Sequence, residues 1–146
     1  MARFIAGFTT AAGSTTLPIC ALVGSASARI RIYEIGIFNT TAVACNVVLC
    51  RLSTAGTPGT AATSRNLDGS DTQTAVGALR NTYTSTAPTT TELGMGFPLG
   101  AAIGSGLMPT FGDEELVIPA TANAAIGFLV ESGTGQALRV YFKWKE

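Results

Sequence analysis

The stretch Ala137-Leu-Arg-Val-Tyr-Phe-Lys-Trp-Lys145 decides the fold class. Leu138, Val140, Phe142 and Trp144 fall on one face, and Arg139, Tyr141, Lys143 and Lys145 on the other. That is strict period two, the pattern of a strand with one face on a core and a charged face to water. Just before it, Ile126, Phe128 and Val130 alternate with Gly127, Leu129 and Glu131. The intervening Ser132-Gly-Thr-Gly-Gln136 predicts a hairpin joining the two strands through a five-residue, glycine-assisted loop.

The same punctuation recurs back along the chain. Ala28 to Asn39 predicts a strand with an irregularity, because Ile30 and Ile32 share one parity while Ile35 and Ile37 take the other. A bulge near Tyr33-Glu34 reconciles the two pairs and keeps Arg29, Arg31 and Glu34 out of the core. Ala42 to Leu52 places Val43, Cys45, Val47 and Leu49 on one face. Ala44, Val48 and Cys50 on the other face predict a strand covered on both sides. Leu17 to Val23, Glu115 to Ile118 and Ile103 to Phe111 read as further strands. Ala75 to Tyr83 is ambiguous: Asp71 suits a helix cap, but the Thr-Tyr-Thr-Ser run favours extended chain. Ser53 to Gln73 and Thr82 to Thr91 read as long polar loops. Residues 1–16 read as an extended arm, with Phe4, Ile5 and Phe8 as its anchors. The expectation is therefore an all-β chain: one sandwich or barrel of about eight strands over residues 17–146, preceded by the arm.

Composition agrees with one β domain and removes several functions. The chain has 146 residues, 12% of them charged and 47% apolar. Ala, Gly, Thr and Ser make up nearly half of it. High hydrophobicity with little charge is the reverse of a disordered tail. Lys plus Arg (9) balance Asp plus Glu (9), and the basic residues look scattered along the chain apart from a short patch of Arg139, Lys143 and Lys145 that Glu131 and Glu146 balance, which argues against a nucleic-acid partner. No window reaches the ~18 apolar residues of a membrane span, and the first residues lack the apolar core of a signal peptide. The chain reads as soluble, with no membrane partner.

There is no histidine, so no Ser-His or Cys-His dyad and no histidine metal ligand. Cys45 and Cys50 in one strand lie roughly 16 Å apart, too far for a disulfide. Pairing of Cys20 with either stays open, though buried free thiols suit the odd count. Asn66-Leu-Asp-Gly-Ser-Asp71 is faintly like a calcium loop but lacks the bidentate Glu, and an Asx turn is the simpler reading. Asp113-Glu114-Glu115 reads as a solvated turn, not as a facing carboxylate pair. Gly94 to Gly100 and Gly100 to Gly106 lack phosphate-loop spacing and read as turns and close backbone contacts. Asn39-Thr-Thr41 matches a glycosylation sequon that carries weight only in a secreted chain. No motif encodes catalysis or calls for a cofactor, so a binding protein, not an enzyme, is expected.

Three stretches carry a resemblance. They are Arg31-Ile-Tyr-Glu-Ile-Gly-Ile-Phe-Asn-Thr40 with Arg51-Leu-Ser-Thr-Ala-Gly56, then Pro98-Leu-Gly-Ala-Ala-Ile-Gly-Ser-Gly106 with Thr110-Phe-Gly-Asp113, and Leu116-Val-Ile-Pro-Ala120. Together they resemble the small capsid decoration (cement) proteins of tailed bacteriophages, over most of residues 28–145. The resemblance implies a jelly-roll-like body, commonly trimeric, made in the host cytoplasm and seated on the outer capsid surface of the virion. Its partners would be the major capsid protein and other copies of itself. The arm residues Arg3, Phe4, Ile5 and Phe8 are then the expected capsid or subunit contacts, because an extended arm adds backbone hydrogen bonds to a neighbour's sheet. The alternative is a receptor- or carbohydrate-binding module on a tail or fibre. It is disfavoured by loops of Thr, Gly and Ala in which Tyr83 is the one aromatic.

Overall fold

The computed structural model describes residues 1–132 and 134–146. Among them are eleven strands: β1 (Arg3–Thr9), β2 (Cys20–Val23), β3 (Ile30–Asn39), β4 (Cys45–Leu52), β5 (Arg65–Asn66), β6 (Ala78–Arg80), β7 (Thr90–Leu99), β8 (Gly106–Leu107), β9 (Leu116–Ile118), β10 (Ala125–Ser132) and β11 (Leu138–Lys145). They form two antiparallel sheets. The first runs β5-β1-β11-β3-β8, with β9 also on β3; the second runs β6-β2-β10-β4-β7. Short β8 and β9 share one place beside β3, so the frame is β1-β11-β3-β8/β9 facing β2-β10-β4-β7. This is the strand order of a jelly roll, an all-β sandwich of eight principal strands.

The core lies between the sheets. From the first come Phe4, Ile30, Ile32, Ile35, Ile37, Val140, Phe142 and Trp144; from the second come Leu22, Val47, Leu49, Ile126, Phe128 and Val130. Phe128 bridges them, edge-on to Phe97 at 5.3 Å and to Phe142 at 6.1 Å between ring centroids. The bulge in β3 lies where the isoleucine parity places it. Lys143 opposes Glu34 and Trp144 opposes Ile32, so Tyr33 is the extra residue and all four isoleucines face inward. Strand β4 is covered on both faces, with Cys45, Val47 and Leu49 in the core and Val48, Cys50 and Leu52 in a second apolar layer.

Several expectations are corrected. Strands β10 and β11 do not form a hairpin: β10 pairs with β2 and β4, whereas β11 pairs with β1 and β3. The chain between them passes from one sheet to the other, and its Gly133 lies outside the described residues. The physical sign is the outer face. Arg139, Lys143 and Lys145 line that of β11, while Ala125 and Leu129 put apolar groups on that of β10. Neighbours in one sheet would share one environment.

The arm over residues 1–16 is also corrected. Residues 3–9 are strand β1, paired along its whole length with β11 and at Phe4 and Ile5 with β5. Ala2, Phe4 and Ala6 are buried, so this segment belongs to the sandwich and the boundary at residue 17 is no domain boundary. Val43 lies outside β4 and is exposed. Gly94 to Leu99 is not a set of turns but part of edge strand β7. Pro98 has no N–H to leave unpaired there, and Gly94 takes φ +73° at the register shift opposite Val48 and Cys50. Ile103 to Phe111 contributes only the two-residue strand β8. The two long loops pair with one another: Thr57 N–H donates to Thr86, Thr84 N–H to Thr57, and Gly59 N–H to Asn81. Tyr83 of that ribbon is buried against Val48 and Cys50.

Candidate functional site

Cys20, Cys45 and Cys50 are free and buried. Burial pushes the Cys20 thiol up to about 12 and the Cys50 thiol up to about 11, which keeps both protonated and inert. Asp68 folds back on its own loop: its Oδ1 accepts the Ser70 N–H at 2.9 Å and the Ser70 hydroxyl at 2.7 Å, an Asx turn. Among the described residues, no group of three His, Cys, Asp or Glu side chains is placed to hold a metal ion. Asn39 of the sequon is buried, and its Nδ2 donates to the Val43 and Gly100 carbonyls at 2.6 and 3.0 Å. It presents no amide for glycosylation.

Two surfaces stand out instead. The first is an apolar tip. Val43 is 53% exposed, Ile103 76%, Leu107 47% and Met108 61%. Exposed apolar side chains that cluster mark interaction sites more often than chance surface. Asn39, at the end of β3, joins the loops that carry Val43 and Ile103, while Leu107 pairs with Ile37 and the Pro109 carbonyl after Met108 accepts from Ile35 N–H further along β3. Besides its two Nδ2 bonds, its Oδ1 accepts from both the Thr41 N–H and hydroxyl at 3.0 Å. Its backbone N–H donates to Ser105 at 2.7 Å, and its carbonyl accepts from Gly104 N–H at 2.8 Å. Gly104 sits at φ +86°, a left-handed turn that a branched residue would strain. The tip is thus an apolar surface held by a polar clasp.

The second surface is the outer face of the first sheet. In register on it stand Arg3 opposite Lys145, Ile5 opposite Lys143, Gly7 opposite Tyr141 and Thr9 opposite Arg139. Arg31 and Arg65 join them through β3 and β5. Six of the nine cations therefore share one face, and the scattered distribution read from the chain is corrected. Two carboxylates answer them. Glu34 pairs with Lys143 at 2.7 Å, and Glu115 pairs with Lys145 at 2.5 Å and Arg31 at 3.6 Å. The Lys143 and Tyr141 hydrogen bonds hold the Glu34 carboxyl below its usual range, and Lys145 does the same for Glu115. Among the described residues, Arg3, Arg65 and Arg139 have no ion-pair partner.

The four expected contact residues divide between these settings. Arg3 is exposed on the cationic face, and Ile5 is half-buried beside it. Phe4 is a core residue, 5.8 Å from Trp144 between ring centroids. Phe8 is half-buried against the same core. Removing residues 2–12 would take the principal strand β1, with Phe4 and Ala6 of the core, out of the first sheet, so these residues are part of the β body. The apolar tip escaped sequence reading because Ile103 to Phe111 scores as strand. The cationic face escaped because residues 3, 31, 65 and 139–145 meet only through long-range register.

No family model, curated protein or solved structure matches this chain.

Proposed function

We propose that this chain is a structural subunit that binds protein surface, as a decoration protein on the outside of an icosahedral phage shell. The observation that carries the binding reading is the apolar tip, four exposed apolar side chains on β8 and the loops beside it, with the loops of Val43 and Ile103 held together by Asn39. A pre-ordered loop loses little conformational entropy on docking, so more of the buried apolar area appears as affinity. The shell as partner rests on the sequence resemblance, with bridging of major capsid proteins and homotrimer formation as parts of the same proposal.

Stabilisation then follows from mass action. A protein that binds only the assembled shell lowers its free energy by RT ln(1 + [L]/Kd), about 2.7 kcal/mol per site at a hundredfold excess over Kd. Burial of Tyr83, the loop aromatic a sugar would stack on, counts against the glycan-binding alternative. Quantifying copies per purified particle tests the proposal. Hundreds of copies retained on the shell support it; a few copies confined to the tail, or none, overturn it.

A further inference from the structure

On the cationic face, a groove of about 290 Å³ runs over Gly7 between Arg65 and Arg139, with Tyr141 as its wall. Beside it, β1 has an edge left open. Strand β5 pairs with β1 only at Phe4 and Ile5, then the chain turns away, and Ala62 N–H donates to Leu79 in the other sheet. Backbone groups along a strand point alternately to its two sides. Leu67 N–H donates to the Arg3 carbonyl on the β5 side, whereas Thr10 N–H donates to Leu138 on the β11 side. Gly7 and Thr9 share the parity of Arg3, so their N–H and C=O groups point out along the open edge. Among the described residues no backbone or side-chain group bonds them there.

We propose that this groove takes an extended acidic polypeptide segment, added as a strand to the Gly7–Thr9 edge, with its carboxylates on Arg65 and Arg139. Edge addition draws affinity from main-chain hydrogen bonds and specificity from alternate side chains. Arg65 opposes Ile5 and Arg139 opposes Thr9, four residues apart, or roughly 13 Å along the strand. A strand laid along Gly7–Thr9 begins where β5 leaves β1, so carboxylates at its two ends lie towards Arg65 and Arg139. Guanidinium groups without partners favour carboxylate, which they bind through paired hydrogen bonds. The open backbone edge favours a peptide over a nucleic acid or a sugar, since neither of those carries the alternating donors and acceptors that the edge matches. The inference does not depend on whether the shell is the partner.

The test is fluorescence anisotropy with a labelled octapeptide of alternating Glu and Thr, against its Gln and Thr counterpart. The acidic peptide should bind at low salt and the neutral one should not, and added salt should weaken binding. The double variant Arg65→Gln/Arg139→Gln should bind about tenfold more weakly or worse, because it loses both exposed guanidinium–carboxylate pairs. Arg80→Gln, in the second sheet, should leave binding unchanged. Two further peptides, N-methylated at alternate amides in opposite phase, read the edge itself: one phase should lose binding and the other keep it. Equal binding of the neutral peptide, or of the double variant, overturns charge recognition, and equal binding of both methylated phases overturns strand addition. Tighter binding of oligothymidylate of equal charge assigns the face to nucleic acid and overturns the proposal.

Discussion

The Tyr141 hydroxyl donates to Glu34 Oε1 at 2.7 Å, the same oxygen that Lys143 Nζ approaches at 2.7 Å. Glu34 lies just past the bulge in β3, and Tyr141 stands opposite Gly36 on β11. For the hydroxyl to reach back to Glu34, the ring must lie flat across Gly36. A Cβ at Gly36 would sit inside the Tyr141 ring, meeting its Cε1, Cδ1 and Cζ. The missing side chain and the hydrogen bond are one device. It orients the groove wall on the cationic face and offsets part of that face's charge.

Gly36→Ala should therefore destabilise the protein by about 1–3 kcal/mol, the usual cost of overpacking. In a Tyr141→Ala background the same change should cost little, because the ring it collides with is gone. Urea denaturation of the four proteins gives the coupling directly. Additive effects would show that Gly36 answers to something other than the ring.

Stability should fall steeply on the alkaline side. Burial pushes Tyr83 and Tyr141 up to about 12, with Glu34 also raising Tyr141; burial also holds Cys20 at about 12 and Cys50 at about 11. Unfolded Cys and Tyr ionise near about 8.5 and 10. Above those values the unfolded chain holds fewer protons than the folded one, so stability is lost as pH rises. The contribution is intact below about pH 8 and is lost progressively towards pH 12. Urea midpoints between pH 8 and 11 should fall, and Tyr83→Phe should flatten the decline. A midpoint independent of pH over that range would contradict the burial of these groups.

The three thiols should be silent in the folded protein. Cys20, Cys45 and Cys50 are each at most 3% exposed. At pH 8 an aromatic disulfide reagent should label none of them within minutes and all three after denaturation. Fast labelling of one thiol in native conditions would place it at a surface that opens locally.

Much of the sandwich was legible because its signals are local. The parity change from Ile30 and Ile32 to Ile35 and Ile37 encodes the bulge, and the alternation from Leu138 to Trp144 encodes β11. Residues 3–8 carry the same alternation, with Phe4, Ala6 and Phe8 against Arg3, Ile5 and Gly7. The segment reads as an arm only because Thr9 to Thr16 behind it has little to bury. Pairing partners were not legible. Strand β11 meets β1 across more than a hundred residues of chain, and only that register gathers the cations. Asn39 was visible as part of a sequon, but its work as a clasp depends on the Val43 and Gly100 carbonyls arriving from two other segments.

The apolar tip allows binding and stability to be separated. Ile103 and Met108 are largely in solvent, so Ile103→Asp and Met108→Asp should change stability by no more than about 0.5 kcal/mol. Each should nevertheless lower occupancy of purified shells, because a carboxylate at the centre of an apolar contact must be desolvated without a partner. Asn39→Asp should do the opposite. It withdraws both donors from the Val43 and Gly100 carbonyls and puts a carboxylate against them, at about 1–3 kcal/mol for each carbonyl left without a partner. Its binding defect should follow the loss of folded protein, with occupancy per folded molecule unchanged. If both tip variants bind shells as the parent protein does, the tip is not the docking surface and the proposed function loses its supporting observation.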